Sequence, residues 1–151
     1  ARVRRGARVG VPADDIRART HTGTSNFAAY LTVADALDFH EAIGTPAKEA
    51  RLRHLRDLWA EPLREHREWE ILTPSDKRMH GGITSFRRRG RTGLQENIGL
   101  ARRLLEEAKI FTVHRTGLAS GSCVRVTPAV FNNPDEIAQL LKTLTGPASS
   151  W

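Results

Sequence analysis

One arginine near the C-terminus has the surroundings of an anion-binding group. Arg125 lies between Val124 and Val126, and this period-two pattern predicts a short strand with the arginine on the face opposite the valines. A connecting loop over residues 127–132 follows the strand, and the next helix begins at about Asn133. A guanidinium held by a sheet next to a loop can present its N–H donors to an anion. We therefore predict that Arg125 faces an anion.

The composition is that of a globular chain. The 151 residues are enough for one domain with a core, with 39% hydrophobic and 27% charged residues. No apolar run approaches membrane-spanning length, and the N-terminal region is too rich in arginine for a signal peptide. We therefore expect a cytoplasmic protein without a membrane segment. The lone Cys123 excludes an internal disulfide, and neither cysteine nor histidine spacing predicts a metal site.

The net charge of +7 comes mainly from arginine. Two clusters stand out: Arg2, Arg4, Arg5 and Arg8, and then Arg87, Arg88, Arg89 and Arg91. Such charge indicates either a polyanion such as nucleic acid, or a solvated surface that meets an acidic protein. Nucleic acid is the less expected partner, because the chain has no nucleic-acid motif and only 6% aromatic residues.

The periodicity of apolar residues predicts the order α-α-β-β-α-β-β-α, which favours an α+β fold. A small antiparallel or mixed sheet of about four strands, covered by helices, is the usual packing for that order. We predict helices over about 26–43, 45–66, 94–108 and 133–144, and strands over 69–72, 83–86, 110–114 and 122–127, with an arginine-rich turn over 87–93.

Cap residues and breakers support several of these bounds. Ser25 or Asn26 can cap the first helix, and Pro62 is expected to kink or divide the second. The last helix has the cap sequence Asn133-Pro134 with Glu136 at its third position. The predicted organisation is an arm or linker over residues 1–20, one small domain over 21–145 and a tail over 146–151.

Three segments resemble the class V aminotransferase family of enzymes that use pyridoxal phosphate (PLP), in the branch with isopenicillin N epimerase and cysteine desulfurase-like proteins. They are Gly23-Thr24-Ser25-Asn26 with the helix after it, Gly82-Ile83-Thr84-Ser85-Phe86, and Cys123-Val124-Arg125-Val126-Thr127 through Ile137. The likeness covers residues 20–145 and implies the C-terminal small domain of a fold-type I enzyme.

The resemblance implies roles for three residues. It places Thr24, and with weaker support Gly23, at the PLP phosphate across a dimer interface, where a hydroxyl and backbone N–H groups before a helix make an anion site. It makes Arg125 the residue that binds the substrate's α-carboxylate. From residue types alone, an ordinary helix cap is the favoured interpretation of the Gly-Thr turn. For Arg125, the alternative is a structural pairing with a nearby acid.

The family's chemistry needs a lysine that forms the Schiff base with PLP, and this chain offers no candidate. Its four lysines lie in charged, loop or helix-end segments and are expected to face solvent: Lys48, Lys77, Lys109 and Lys142. We therefore predict no catalytic residue and an inactive isolated chain. Either it is a fragment, or it is a small subunit whose partner carries the lysine, and we favour a hetero-oligomer built as a dimer of heterodimers.

The predicted function is that of the small part of a PLP enzyme acting on an amino acid, as a desulfurase or other C–S lyase, an epimerase or an aminotransferase. The alternative is a non-catalytic basic module that binds nucleic acid or protein. Three further residues are weighed near the site: His21 and His80 as loop residues that could approach a substrate, and Cys123, on the same strand face as Arg125, as a packing residue.

Overall fold

A computed structural model of the chain describes Ile16 and residues 26–146. The chain divides into two compact units, Ala1–Ala42 and Ile43–Trp151. The arm predicted over residues 1–20 lies outside the described residues except for Ile16, so the predicted domain boundaries stay predictions. Within the described ranges, no helix is long and apolar enough to cross a membrane.

The described part of the first unit consists of two helices. They are α1 (Phe27–Leu31) and α2 (Val33–Ile43), whose last residue belongs to the second unit. Asn26 is the N-cap of α1, and its Oδ1 accepts a hydrogen bond from the backbone N–H of Ala29 at 3.3 Å. Asn26 was one of the two predicted cap residues, and its short polar side chain satisfies a donor that the helix cannot.

The prediction of one unbroken helix over residues 26–43 is wrong at Thr32. The Oγ1 of Thr32 donates to the carbonyl oxygen of Ala29 at 3.2 Å. A threonine hydroxyl that bonds back to its own helix competes with the regular ladder, which explains the interruption at this residue.

Neither α1 nor α2 buries a side chain. Their large apolar residues are between 37% and 79% exposed: Phe27, Tyr30, Leu31, Val33, Leu37, Phe39 and Ile43. Helical stability in water usually depends on packing an apolar face. These helices therefore carry an apolar surface that the described residues leave open to solvent.

The second unit has the predicted α+β fold. Its helices are α3 (Thr45–Arg64), α4 (Leu94–Ala108) and α5 (Pro134–Thr145), with a 3₁₀ turn at Lys77–Met79. Its strands are β1 (Trp69–Ile71), β2 (Thr84–Arg88), β3 (Val113–Arg115) and β4 (Cys123–Val126). Helix α3 continues through Pro62, so this proline does not divide the helix.

The four strands form one antiparallel sheet in the order β1-β2-β4-β3. Phe86 of β2 lies opposite Val124 of β4, and Ser85 lies opposite Arg125. Because side chains alternate along a strand, each opposed pair occupies one face of the sheet. Phe86 and Val124 are fully buried, so their face is the core face, and Arg125 lies on the other one.

Helices α3, α4 and α5 cover the core face of the sheet. The aromatic centre is Phe86, whose ring centroid lies 5.5 Å from that of Trp59 and 5.6 Å from that of Trp69. The indole N–H of Trp69 donates to the carbonyl oxygen of Leu144 at 2.9 Å and joins β1 to α5. Aliphatic residues complete the core: Leu55, Leu63, Leu100, Leu104, Val124, Val126, Ile137 and Leu140. Leu58 of α3 is 38% exposed and does not belong to this core.

Strand β2 is longer than predicted at its C-terminal end. It continues to Arg88, so the predicted arginine-rich turn over 87–93 is wrong for its first two residues. Arg87 is 5% exposed, and its Nε donates to Oε2 of Glu70 at 2.9 Å. These residues are cross-strand partners, and this opposite-charge pair stabilises strand conformation where arginine-rich sequence alone suggests a turn.

The capping box of α5 generates a stability prediction. The N-cap Asn133 accepts from the N–H of Glu136 at 2.9 Å, and Glu136 accepts from the N–H of Asn133 at 3.0 Å. We expect Asn133→Ala to lower the free energy of unfolding by about 1 kcal/mol. Hydrogen bonds from the Asn132 amide and the Asn133 N–H lower the pKa of Glu136 below its ordinary value of 4.5.

A lowered folded-state pKa means that the unfolded chain takes up the proton first on acidification. The contribution of the Glu136 charge is therefore present above pH 4.5 and is lost as the pH falls through the folded-state pKa. Urea unfolding should show Glu136→Gln less stable than the natural protein at neutral pH and equal to it in acid. A difference that does not change with pH would contradict this prediction.

Candidate anion-binding site

Arg125 lies in the middle of the sheet, on the face that the helices leave uncovered. Strand β4 pairs on both sides, so Ser85 of β2 and Val113 of β3 lie opposite Arg125. The strand residues on either side of it, Val124 and Val126, are buried in the core. The period-two pattern therefore fixes Arg125 on the outer face, as the sequence predicts.

The guanidinium of Arg125 has no acidic partner within residues 26–146. The residue is half-buried, and its Nε is buried without a hydrogen-bond acceptor among the described residues. A buried donor that lacks an acceptor costs free energy, so the Nε of Arg125 calls for an acceptor from a water, an ion or another molecule. This geometry favours anion binding over the interpretation of Arg125 as a structural partner of a nearby acid.

Arg87 on the same face shows the opposite arrangement. Besides its bond to Glu70, its Nη1 donates to the carbonyl oxygen of Ser120 at 2.7 Å. This second bond ties the loop before β4 to the sheet. Glu70, the acidic strand residue on this face, is thus already held by Arg87, which leaves Arg125 for an external anion.

The loop after Arg125 is held by a compact set of hydrogen bonds. Asn132 accepts from the N–H of Ala129 at 2.7 Å through Oδ1, and its amide donates to Glu136 at 2.9 Å. Arg51 of α3 donates to the carbonyl oxygen of Asn132 at 2.7 Å. These hydrogen bonds fix the path of the chain from β4 into α5. The loop at the end of the strand that carries Arg125 is therefore held in place.

A second loop reaches the same end of the sheet. It runs from β1 to β2 and contains His80, whose Nδ1 lies 3.1 Å from Nη1 of Arg53. Its Nε2 is buried and has no partner among the described residues. Gly82 follows at a close approach to α3, since a Cβ there would lie 2.7 Å from Cβ of Leu52. His80 is therefore held by α3, and the structure does not bring it into contact with Arg125.

Only some of the other predicted residues lie within the described ranges. Thr24, Gly23 and His21 lie outside the described residues, so their predicted roles stay predictions. Cys123 is 1% exposed and has the burial of a packing residue. Of the four lysines predicted to face solvent, Lys77, Lys109 and Lys142 are exposed and Lys48 is half-buried.

Two features of the site could not be assigned from residue types. Ser85 lies across from Arg125, and Glu70 is taken by Arg87. The pairing register of β2 with β4 would have identified Ser85, because residues opposite each other share a face. Within the described ranges, no group of three or more acidic, histidine or cysteine side chains could hold a metal ion.

Comparison with known proteins relates this geometry to PLP enzymes. No protein-family model matches the chain. Isopenicillin N epimerase of Amycolatopsis lactamdurans is 28% identical over 131 residues, which make up 87% of this chain and 32% of that protein. The chain thus spans about a third of the length of the curated relative it matches.

Solved structures give the same result for the fold. The apo cysteine desulfurase from Thermococcus onnurineus NA1 matches 83% of this chain and 32% of its own, with a TM-score of 0.63 and 20% identity. A mutant of the cystine C–S lyase C-DES, with glycine covalently linked to its PLP cofactor, matches 81% of this chain and 30% of its own, with a TM-score of 0.58 and 25% identity. The resemblance to class V PLP enzymes is confirmed, and the fold is that of a fold-type I C-terminal domain.

The contrast between the two arginines of the outer face can be tested by replacing each with the same residue. Arg87→Met should lower the free energy of unfolding by about 2 kcal/mol, because it leaves Glu70 and a loop carbonyl without their partner. Arg125→Met should leave stability unchanged within about 0.5 kcal/mol or raise it, because no bond is lost. Urea unfolding of both variants measures this, and equal losses would show that Arg125 is a structural residue.

Proposed function

We propose that this chain forms the small C-terminal part of a PLP-dependent enzyme that acts on an amino acid, with Arg125 as the group that binds the substrate's carboxylate. The observation that carries the proposal is the guanidinium of Arg125, half-buried and without an acidic partner among residues 26–146. Its place on the strand, between two core valines, fixes the direction of its side chain away from the helices.

The chemistry of the guanidinium suits this role. Its planar fork carries parallel N–H donors that match the two oxygens of a carboxylate, and charge-assisted bonds of this kind are about twice as strong as neutral ones. Every amino-acid substrate offers an α-carboxylate. The similarity to isopenicillin N epimerase and C-DES supports an amino-acid substrate, and both names leave epimerase and C–S lyase chemistry as candidates.

PLP, when bound, supplies the electron sink that makes bonds at the α-carbon of an amino acid reactive. Of the residues proposed to hold it, Thr24 and Gly23 would bind the phosphate across an interface. No lysine of this chain has the surroundings of a Schiff-base residue. The cofactor lysine therefore belongs to a large-domain chain or segment, and the favoured assembly is a dimer of heterodimers.

The uncovered apolar side chains of α1 and α2 support the need for such a partner. Phe27, Leu31 and Leu37 are 70%, 79% and 57% exposed. Apolar residues at helical spacing on an unpacked face are typical of a surface that is buried in an assembly. The net charge of +7 would also speed association with an acidic partner.

The role of Arg125 is tested in the assembled enzyme, with the partner chain and PLP present. We expect Arg125→Ala to retain the visible absorption of bound PLP and to lose about a hundredfold in kcat/KM, since a carboxylate loses its charge-assisted donors. Arg125→Lys should recover only part of the loss, because a point charge replaces the fork. Unchanged kinetics in both variants would remove the substrate role.

The partner surface is tested by exchanging exposed apolar residues for serine. Leu31→Ser with Leu37→Ser should reduce recovery of a co-expressed large-domain chain by at least about tenfold, since each buried leucine contributes roughly 1.5–3 kcal/mol. Thermal unfolding of the isolated chain should not change, because both side chains are exposed. Asp38→Ser on the same helix is the matched control. Equal recovery in all variants would exclude this face as the interface.

A further inference from the structure

A cavity of about 410 Å³ lies along α4 on the helix-covered side of the sheet. Its floor is made by Trp69 and Leu100, which belong to the core, and by the buried Asn97. The amide of Asn97 donates to the carbonyl oxygens of Arg91 and Gly93, at 3.1 and 2.9 Å. The turn that forms one wall is thus bonded to the helix, and the groove is part of the folded domain.

Arginine supplies the charge of this groove. The lining includes four arginines and two glutamates: Arg88, Arg91, Arg102, Arg103, Glu96 and Glu106. On α4, Gln95, Gly99, Arg102 and Glu106 are spaced three and four apart, so the lining follows one side of the helix. Guanidinium groups that line a groove attract oxyanions more strongly than the same charges on a flat surface.

The internal ion pairs of the groove differ in quality. Arg91 and Glu96 are joined at 2.9 Å, and this bond lowers the pKa of Glu96. Arg102 lies 3.9 Å from Glu106, and Arg88 lies 3.5 Å from Glu68. These two distances exceed those of good charge-assisted hydrogen bonds. Arg88 and Arg102 can therefore exchange a loosely held carboxylate for a ligand of higher charge.

A glycine keeps the groove open. Gly99 lies within α4, and a Cβ built on it would meet no atom within 4 Å. Its φ is not positive, so neither packing nor backbone conformation requires glycine at this position. Glycine is the least favourable residue in a helix interior apart from proline. The missing side chain does have one consequence, which is free space in the groove that Gly99 lines.

We propose that this groove binds a small molecule that carries two or more phosphate groups in succession. Several guanidinium groups along one surface groove match a ligand with repeated oxyanions, and an oligophosphate outcompetes single carboxylates by its charge. Trp69 is the one aromatic side chain among the described lining residues, and it is buried, so the groove offers no stacking surface for a base. A nucleoside should therefore add nothing to the affinity.

The test measures binding of sodium tripolyphosphate to the full chain by calorimetry. Gly99→Glu should weaken binding by at least about tenfold, because its carboxylate occupies the groove and can pair with Arg102 and Arg103. Gly99→Ala should bind like the natural protein and unfold at a higher temperature. Gly99→Gln has the length of glutamate without its charge, so it separates steric blocking of the groove from the effect of the added carboxylate. These substitutions favour the helix, so misfolding does not complicate the result.

Arg125→Gln is the charge-matched control, because it changes the net charge by the same amount as Gly99→Glu. It should retain tripolyphosphate affinity within about twofold, since it lies on the other face of the sheet and only long-range charge is lost. Binding lost in Arg125→Gln and kept in Gly99→Glu would overturn the groove proposal without affecting the proposed carboxylate role of Arg125.

Two further comparisons identify the source of the phosphate. ATP and tripolyphosphate should bind equally, and a preference for ATP of more than about tenfold would contradict the absence of base recognition. Duplex DNA should compete only weakly. DNA binding that is much tighter than tripolyphosphate binding and is abolished by Gly99→Glu would overturn the small-molecule proposal in favour of a nucleic-acid surface. Lack of any binding would overturn it as well.

Discussion

Phe86 lies opposite Val124 in the antiparallel pairing of β2 with β4, and both side chains are fully buried. This register determines the rest of the sheet, because a shift by one residue would exchange its two faces. A one-residue shift of β4 would move Val124 off the core face and bring Arg125 into the core beside Phe86, where Trp59 and Trp69 pack. The aromatic packing thus holds Arg125 on the uncovered face. The same contacts that stabilise the core therefore fix the geometry of the candidate site.

The arginines of this chain fall into groups that their sequence context does not reveal. Arg56 is 2% exposed and donates to Oγ1 of Thr84 at 3.0 Å, so it joins α3 to β2 inside the domain. Arg87 holds Glu70 and the loop before β4. Arg125 has neither kind of partner within the described residues. The role of each arginine therefore depends on the partner of its guanidinium, which the net charge of +7 does not reveal.

Much of the fold was predictable from local pattern. The capping sequence of α5, the amphipathic repeat of α4 and the alternation around Arg125 each depend on neighbours within a few residues, and the structure confirms all three. The predictions fail where distant residues decide. β2 extends through Arg87 and Arg88 because Glu70 of β1, and Glu68 just before β1, pair with these arginines. The break at Thr32 depends on a hydroxyl bond that helical periodicity does not show.

The sequence by itself determined that Arg125 is a strand-mounted cation before a capped helix, since alternation and cap chemistry are local properties. Only the tertiary structure decided that this cation lacks an acidic partner among residues 26–146, because Glu70, the acid on the same face, is held by Arg87. It also decided that arginines from β2 and α4 line one groove around Gly99. Both are outcomes of packing between segments far apart in the chain, which local sequence pattern does not encode.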